Sequence, residues 1–330
     1  MPSLDNVPRQ PTPPVELLFE RYIRPGRPVV LTDLLDGQPL RVLDTQERAA
    51  EQLAHMVLGV SGNFANESLA GRWPERREMS LRDYLELVRQ QPATRDYCYL
   101  ETPPPALAGL YEAPQLCDHR GSGDTTSLVF LGNAGNYSHL HYDEDLRDVL
   151  MFQVFGRKRY VMMPPSASHK LHPLVAPGVV RTSDVCLQHM SQSEQLEFLR
   201  YAGAWDVVLE PGETLLMPFG YWHYVEYVDT ALSVNFRMGR SAEVRALSAL
   251  MPQPSVFMQA LARHYSDETA LSPQARSVLG SLLALGPTPD DDLLHRGVLD
   301  AFDALCAGSW DRPHALAFAA LRGQVLRQPR

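Results

Sequence analysis

The sequence lacks the features that mark several classes of protein. Its 330 residues include four cysteines and no C-x-x-C pair, so neither a disulfide framework nor a cysteine-ligated zinc site is expected. No apolar run is long enough to span a bilayer, and the proline-rich residues 1–14 lack the apolar core of a signal peptide. We therefore expect reduced thiols, a cytoplasmic location and no membrane partner.

The sequence also lacks an excess of basic residues. Thirty Lys and Arg stand against 39 Asp and Glu, which gives a formal net charge of −9. This balance disfavours a large phosphate-binding face, so a nucleic-acid partner is not expected. A basic or neutral peptide suits the charge better.

Short β-rich runs follow one another in the middle of the chain, and turn signals such as Pro211-Gly212 separate most of them. About eight strands in a row fit a double-sheet jelly roll. A long insertion, residues 164–205, interrupts the series and contains a helical segment near 193–201. The predicted strands cover residues 127–131, 138–143, 149–154, 159–163, 207–210, 214–217, 223–228 and 232–238.

The region before the β-rich core, residues 1–126, combines helical and strand patterns. Residues 29–32 and 96–100 predict strands, and residues 61–77 resemble a loop. Asp44 and Glu47 resemble a capping box for a helix that runs to about residue 55. Ser80 predicts the cap of a second helix over residues 81–89, with one apolar face formed by Leu81, Tyr84, Leu85 and Val88.

The chain changes to a helical pattern after the core region, residues 127–239. Residues 240–330 predict a C-terminal helical region with amphipathic segments. Its apolar residues exceed what one thin layer on a jelly roll needs if they do not all pack inward. This region is therefore either a self-contained helical cap or the interface of a homodimer.

His141 and Asp143 form an H-x-D motif in a predicted strand, and His223 lies in a later one. Residues i and i+2 of a strand point to the same face, so both side chains of the motif can reach one metal ion. Two histidines and one carboxylate are the ligand set of non-haem Fe(II) oxygenases, which leaves one face of the metal open. A single histidine on a strand is more often a hydrogen-bonded core residue, so the motif alone is a weak signal.

The wider pattern around the motif is far more specific. Gly156-Arg157-Lys158-Arg159 precedes an apolar strand, and Pro-Gly-Glu-x-Leu-x-x-Pro at residues 211–218 precedes Trp222-His223. This arrangement resembles the cupin-like hydroxylase branch of the JmjC family of Fe(II)- and 2-oxoglutarate-dependent oxygenases. The resemblance implies a mainly β double-stranded β-helix, which agrees with the strand pattern above.

The resemblance also implies roles for individual residues. His141, Asp143 and His223 would ligate Fe(II), and Lys158 would pair with the distal carboxylate of 2-oxoglutarate. The expected reaction uses O₂ to hydroxylate a side chain of a protein or peptide, with decarboxylation of 2-oxoglutarate to succinate and CO₂. Three further positions match residues beside the cosubstrate: Ser138, Tyr99 and Asn235.

Two arginines depart from the pattern of an asparaginyl hydroxylase of this branch. Arg147 stands where that enzyme has an asparagine, and Arg237 where it has a tryptophan. We expect them either to bind an acidic substrate group or to pair with Asp145 or Asp148. His139, two residues before His141, is expected to line the cavity or to support a ligand.

Three other functions stay open at this stage. An N-methyl-lysine demethylase would usually need a cage for the cation, and no such motif is visible. A tRNA-base hydroxylase would need a basic face, which the net charge disfavours. A non-catalytic metal-binding cupin is the third, and the complete ligand set together with Lys158 argues against it.

Overall fold

Two β-sheets form the frame of the protein. The computed structural model describes residues 3–23, 25–62, 76–100, 102–118, 125–143, 147–164, 167, 170–171, 183, 185–218 and 220–238. In these parts of the chain thirteen strands make a nine-stranded sheet and a four-stranded sheet. The strands are β1 Arg9–Gln10, β2 Val29–Leu31, β3 Val57–Ser61, β4 Arg76–Ser80, β5 Tyr97–Leu100, β6 Thr126–Gly132, β7 Tyr137–His141, β8 Asp148–Phe155, β9 Lys158–Met163, β10 Trp205–Leu209, β11 Thr214–Met217, β12 Trp222–Tyr227 and β13 Ala231–Met238.

Strands β6 to β13 build the jelly roll predicted from the sequence. Four of them lie side by side in the large sheet in the order β11-β8-β13-β6, and the other four form the small sheet in the order β10-β9-β12-β7. Apolar side chains from the facing strands pack between the sheets, among them Met151, Met162, Leu209 and Leu215. The chain therefore has the mainly β, double-stranded β-helix fold that the strand pattern indicated.

The N-terminal strands extend the large sheet instead of forming a separate layer. Strands β1 and β2 continue it at one edge, and β5, β3 and β4 continue it at the other. Helices cover its outer face through a large apolar cluster. The helices are α1 Val15–Leu18, which continues as a π-helical turn Phe19–Ile23, α2 Gln46–Leu53, α3 Leu81–Gln90 and α4 Pro105–Ala108, with 3₁₀ turns at Pro39–Val42 and Gln115–Asp118.

Two helix caps can be compared with the sequence. The Ser80 side chain accepts a hydrogen bond from the amide of Asp83, and α3 buries the four predicted residues Leu81, Tyr84, Leu85 and Val88. Helix α2 differs by one position, because the side chain of Thr45, not of Asp44, accepts from the amide of Arg48. Asp44 instead forms an ion pair of 2.6 Å with Arg48.

The outer face of the small sheet is covered by the insertion between β9 and β10. Helix α5, Gln192–Ala202, follows a 3₁₀ turn at Leu187–His189 and begins with a capping box formed by Ser191 and Glu194. Its buried residues Leu199 and Ala202 join an apolar cluster with Trp222 and Tyr224 of β12. The insertion was predicted to be helical in this segment, and the structure confirms it.

One prediction differs from the structure, and another concerns residues that the structure does not describe. The predicted loop over residues 61–77 overlaps β3 and β4, and β4 is an exposed edge strand. The predicted C-terminal helical region, 240–330, lies outside the described residues, so it and a homodimer built from it stay predictions. None of the helices in the described ranges is long and apolar enough to cross a membrane.

The turn that leads into β9 depends on glycine at position 156. Gly156 has a φ of +64°, and a Cβ placed there would collide with the carbonyl oxygen of Thr230. Gly203, after α5, has a φ of +66° but open space around it. The two positions thus share a backbone conformation and differ in their surroundings.

We expect Gly156→Ala to destabilise the protein more than Gly203→Ala. The left-handed backbone costs both variants about 1 kcal/mol, and crowding adds roughly 1–3 kcal/mol at residue 156 alone. Chemical denaturation of both variants measures the difference in free energy of unfolding. Equal losses would show that the turn before β9 tolerates a side chain.

Candidate metal centre

His141 and His223 face each other across two paired strands. They are register partners in the antiparallel pair β7 and β12, and their ring centroids lie 4.3 Å apart. His223 is buried in the middle of the small sheet, whereas 27% of the His141 side chain is exposed. One side of the histidine pair is therefore closed by protein and the other opens towards solvent.

Backbone carbonyls fix the orientation of both rings. His141 Nδ1 lies 2.6 Å from the carbonyl oxygen of His139, and His223 Nδ1 lies 3.1 Å from that of Tyr221. A carbonyl oxygen only accepts, so each Nδ1 must carry the proton in these hydrogen bonds. In its neutral form each ring then presents an unprotonated Nε2, which is the form that binds a metal.

Asp143 completes the group two residues beyond the end of β7. One ligand atom from each of His141, Asp143 and His223 lies within 4.8 Å of the others, and His141 Nε2 is 3.8 Å from Asp143 Oδ1. Ligands about 2.1 Å from one ion lie roughly 3–4 Å apart, so small shifts let all three reach it. The structure thus brings together the three residues that the sequence pattern singled out.

The carboxylate of Asp143 also contacts Arg237. Arg237 Nη2 lies 3.2 Å from Asp143 Oδ2, and both side chains are mostly buried. Burial alone raises the pKa of Asp143, but the neighbouring Arg237 guanidinium outweighs burial, with a further contribution from the two histidines when they are protonated, and holds the pKa below its ordinary value. Asp143 is therefore ionised and ready to bind a cation.

Lys158 lies fully buried at the other end of the same interior. Its ammonium donates to the Ser233 hydroxyl at 2.7 Å and stands 4.2 Å from the ring centroid of Tyr227. No carboxylate within the described ranges pairs with it, and burial lowers its pKa well below the ordinary value. A buried lysine without a counter-charge is costly, which makes this position a candidate site for an anion.

The other predicted cosubstrate residues occupy neighbouring strands. Asn235 is buried on β13 between Ser233 and Arg237, and its Oδ1 accepts no hydrogen bond within the described ranges. Ser138 on β7 is opposite Val225 of β12. Tyr99 lies in β5 and pairs with Phe130, but its side chain is outside what the structure describes.

His139 does not share the face of His141. A bulge in β7 leaves two residues opposite Tyr224, so Ser138 comes to the face of His141 instead. The His139 ring packs edge-on against Tyr137 at 5.2 Å and lies 3.4 Å from the amide of Gln188. The His139 side chain therefore faces away from the cavity, contrary to the first of its two expected roles, and the His139 carbonyl oxygen contacts His141.

The two arginines lie close together at the rim of the site. Arg147 Nη1 donates to the Thr126 hydroxyl at 2.8 Å, and Thr126 is the register partner of Arg237 on the adjacent strand. The ion pair of Arg237 with Asp143 was not among the alternatives drawn from the sequence, which were a substrate group, Asp145 or Asp148. It joins the large sheet to the small sheet beside the histidine pair.

Three residues around Lys158 were missed by sequence reasoning. Ser233 accepts its hydrogen bond, the Tyr227 ring lies against its ammonium, and Tyr160 makes a further hydrogen bond to Ser233. The two-residue period of strands was the available signal, since Ser233 precedes Asn235 by two residues and Tyr160 follows Lys158 by two.

The arrangement fits Fe(II) and 2-oxoglutarate on the chemistry of its donors. Two imidazoles and one carboxylate converge as one face of a coordination sphere, which suits Fe(II) with open positions. The buried ammonium of Lys158 offers a partner to the distal carboxylate of a small dicarboxylic acid. Both groups therefore have matching residues in this chain.

The comparison with known proteins agrees with this geometry. A family model described as a cupin-like domain matches residues 15–240. The chain is 28% identical over 245 residues to lysine-specific demethylase JMJ30 of Arabidopsis thaliana, with 69% of this chain and 54% of the relative covered. It is 24% identical over 244 residues to lysine-specific demethylase 8 of Xenopus tropicalis, with 72% and 54% covered.

Another relative matches over a shorter region. Jumonji C domain-containing protein 5 of Drosophila melanogaster is 30% identical over 136 residues, with 40% of this chain and 33% of the relative covered. The matched part of this chain spans about half the length of each of the two lysine-specific demethylases. Because the family model covers most of the chain, this protein belongs to the cupin-like JmjC family of Fe(II)- and 2-oxoglutarate-dependent oxygenases.

Proposed function

We propose that this protein uses Fe(II) and 2-oxoglutarate to hydroxylate a side chain of a protein or peptide. The observation that carries the proposal is the single interior between the sheets, with the His141, Asp143 and His223 group at one end and buried Lys158 at the other. A metal site alone does not require a buried ammonium, and a buried lysine alone does not require a metal site. Their presence in one interior therefore supports a ligand that contacts both.

The spacing between the two ends suits a short dicarboxylate. Met162 is the register partner of His223, and Lys158 lies four residues before Met162 on the same face of β9. Four residues of a strand span about 13 Å at the Cα atoms. The lysine and histidine side chains each cover part of this distance, and a five-carbon dicarboxylate bridges the remainder.

Each residue of the site has a definite task in this proposal. His141 Nε2, Asp143 Oδ1 and His223 Nε2 would hold Fe(II), while Lys158 and Ser233 would hold the distal carboxylate. Fe(II) with 2-oxoglutarate and O₂ supplies the oxidation of C–H to C–OH, with release of succinate and CO₂. The buried apolar residues between the sheets keep water from the interior.

The positive charge at the rim favours hydroxylation over demethylation. Arg237 lies beside the ligand Asp143, and Arg147 lies next to it through Thr126. A methylated lysine would bring a further cation to this region, whereas a neutral or acidic side chain would not be repelled. Arg147 thus stays a candidate for binding an acidic or polar group of the substrate.

Lysine demethylation is the second candidate, because two broadly matching relatives are named lysine-specific demethylases. The two reactions leave different products. Hydroxylation at carbon adds one oxygen to the peptide, and demethylation removes one methyl group as formaldehyde.

We expect the purified protein to add one oxygen atom to a peptide of a cell lysate. The incubation contains Fe(II), 2-oxoglutarate and O₂, and His141→Ala protein is the matched control. Mass spectrometry identifies the modified peptide, and succinate is measured in the same samples. Formaldehyde with loss of one methyl group would reject hydroxylation, and absence of both products with no succinate would favour a non-catalytic cupin.

A further inference from the structure

The two oxygens of the Asp143 carboxylate have different neighbours. Arg237 Nη2 lies 3.2 Å from Oδ2, while the other oxygen, Oδ1, lies 3.8 Å from His141 Nε2. One oxygen thus faces the guanidinium, and the other faces His141 Nε2. A carboxylate held in this way offers a metal a single oxygen.

Asp143 needs such a contact more than the histidines do. Strand β7 ends at His141, so the backbone hydrogen bonds of the sheet do not extend to Asp143. His223, by contrast, pairs with β7 and β9 on its two sides, and its ring is fixed by the Tyr221 carbonyl. The aspartate is the ligand with the least support from its own strand.

Arg237 is well placed to give that support. It lies in β13, which pairs with β6 on one side and β8 on the other. Its backbone is therefore fixed in the centre of the large sheet, opposite the small sheet that carries β7. The contact with Asp143 therefore links the segment after β7 to a central strand of the large sheet.

We propose that Arg237 is a positioning residue for the metal ligand Asp143, an inference that rests on the proposed function. The guanidinium holds Oδ2, so the aspartate binds the ion through Oδ1 alone. Single-oxygen binding keeps the open positions of the ion available to the cosubstrate and O₂. The planar guanidinium presents its N–H donors in fixed directions, which a lysine ammonium does not.

This role differs from the substrate role expected from the sequence. A residue that binds only substrate leaves metal affinity unchanged in the absence of substrate. A residue that orients a ligand changes it, and loss of a partner that orients a ligand typically weakens metal binding 10–100-fold. Metal binding without substrate or cosubstrate therefore separates the two roles.

The experiment titrates metal-free, full-length protein with Co(II) against a competing chelator. We expect Arg237→Met to bind Co(II) roughly 10-fold more weakly than wild type. Arg237→Lys keeps the charge without the fork, and we expect an affinity between the two. Arg147→Met removes the neighbouring arginine, which contacts Thr126, and is expected to bind as wild type does.

A second background tests whether Arg237 acts through Asp143. With Asp143→Asn present, adding Arg237→Met is expected to change Co(II) affinity less than about 2-fold, since interacting sites are not additive. Equal losses in both backgrounds, or wild-type affinity in Arg237→Met, would overturn the proposal. If Arg237→Met does not fold, wild-type affinity in Arg237→Lys overturns it instead. Failure of wild-type protein to bind Co(II) contradicts the metal centre itself.

Discussion

Replacing His223 with alanine is expected to abolish 2-oxoglutarate turnover. The variant leaves His141 and Asp143 as the only protein ligands of the group, and two ligands hold Fe(II) poorly. A bound metal ion contributes several kcal/mol to a reaction, so its loss lowers the rate by roughly 10³-fold or more. Succinate formation and the iron content of the purified variant measure this effect.

The matched control is His55→Ala, which removes an exposed histidine just after α2. It is expected to keep both the iron content and the turnover of wild type. Wild-type iron content in the His223→Ala variant would remove His223 from the metal centre. A loss of iron in both variants would point to a general defect of folding.

Replacing Lys158 with methionine is expected to stabilise the protein while it weakens cosubstrate binding. Methionine fills a similar volume and brings no charge into the interior. A buried, poorly satisfied polar group costs about 1–3 kcal/mol, and much of this cost disappears in the variant. The affinity for 2-oxoglutarate should fall roughly 10²-fold, because its distal carboxylate loses a charged partner.

The neighbouring residue Arg159 supplies the matched comparison. Arg159 is equally buried, but it makes two hydrogen bonds of 2.9 Å to Asp206, so its charge is satisfied. Arg159→Met leaves Asp206 buried without this partner and should destabilise the protein by roughly 3–5 kcal/mol. The unfolding temperature, compared with wild type, is therefore expected to rise in Lys158→Met and to fall in Arg159→Met. Destabilisation by Lys158→Met would indicate a structural role for this lysine.

The difference in free energy of unfolding between wild type and Lys158→Met should depend on pH. Burial lowers the pKa of Lys158 in the folded protein, while the unfolded chain keeps the ordinary value. Between these two values the unfolded state binds more protons, so the stability of wild type rises with pH. The advantage of Lys158→Met is thus largest below the folded pKa and shrinks as pH rises towards the ordinary lysine value of about 10.4.

Strand alternation and turn signals were sufficient to predict the core of the fold. All eight core strands form, with ends shifted by at most two residues, as in Asp148–Phe155 against the predicted 149–154. Strand β4 was missed because its charged, exposed residues Arg76, Arg77 and Glu78 show no apolar alternation. Edge strands carry such residues because pairing with another chain must be avoided.

The ligand set could be predicted more completely than its surroundings. His141, Asp143 and His223 come together as the H-x-D motif and the family pattern predicted, although Asp143 lies beyond the end of β7 and not in the strand as expected. The bulge in β7 reverses the face of His139 relative to that expectation, and a bulge is not visible in the spacing of residues. The Arg237 contact with Asp143 joins two sheets, and the distance between sheets is not encoded in local sequence.

Anaerobic calorimetry of the full-length protein with Fe(II) and 2-oxoglutarate tests the central claim most directly. The account predicts that one Fe(II) binds each chain, that one 2-oxoglutarate binds only after the metal, and that Lys158→Met weakens the second step roughly 10²-fold while it keeps the first. Binding of 2-oxoglutarate with equal affinity in the absence of metal, or in the Lys158→Met variant, would contradict it.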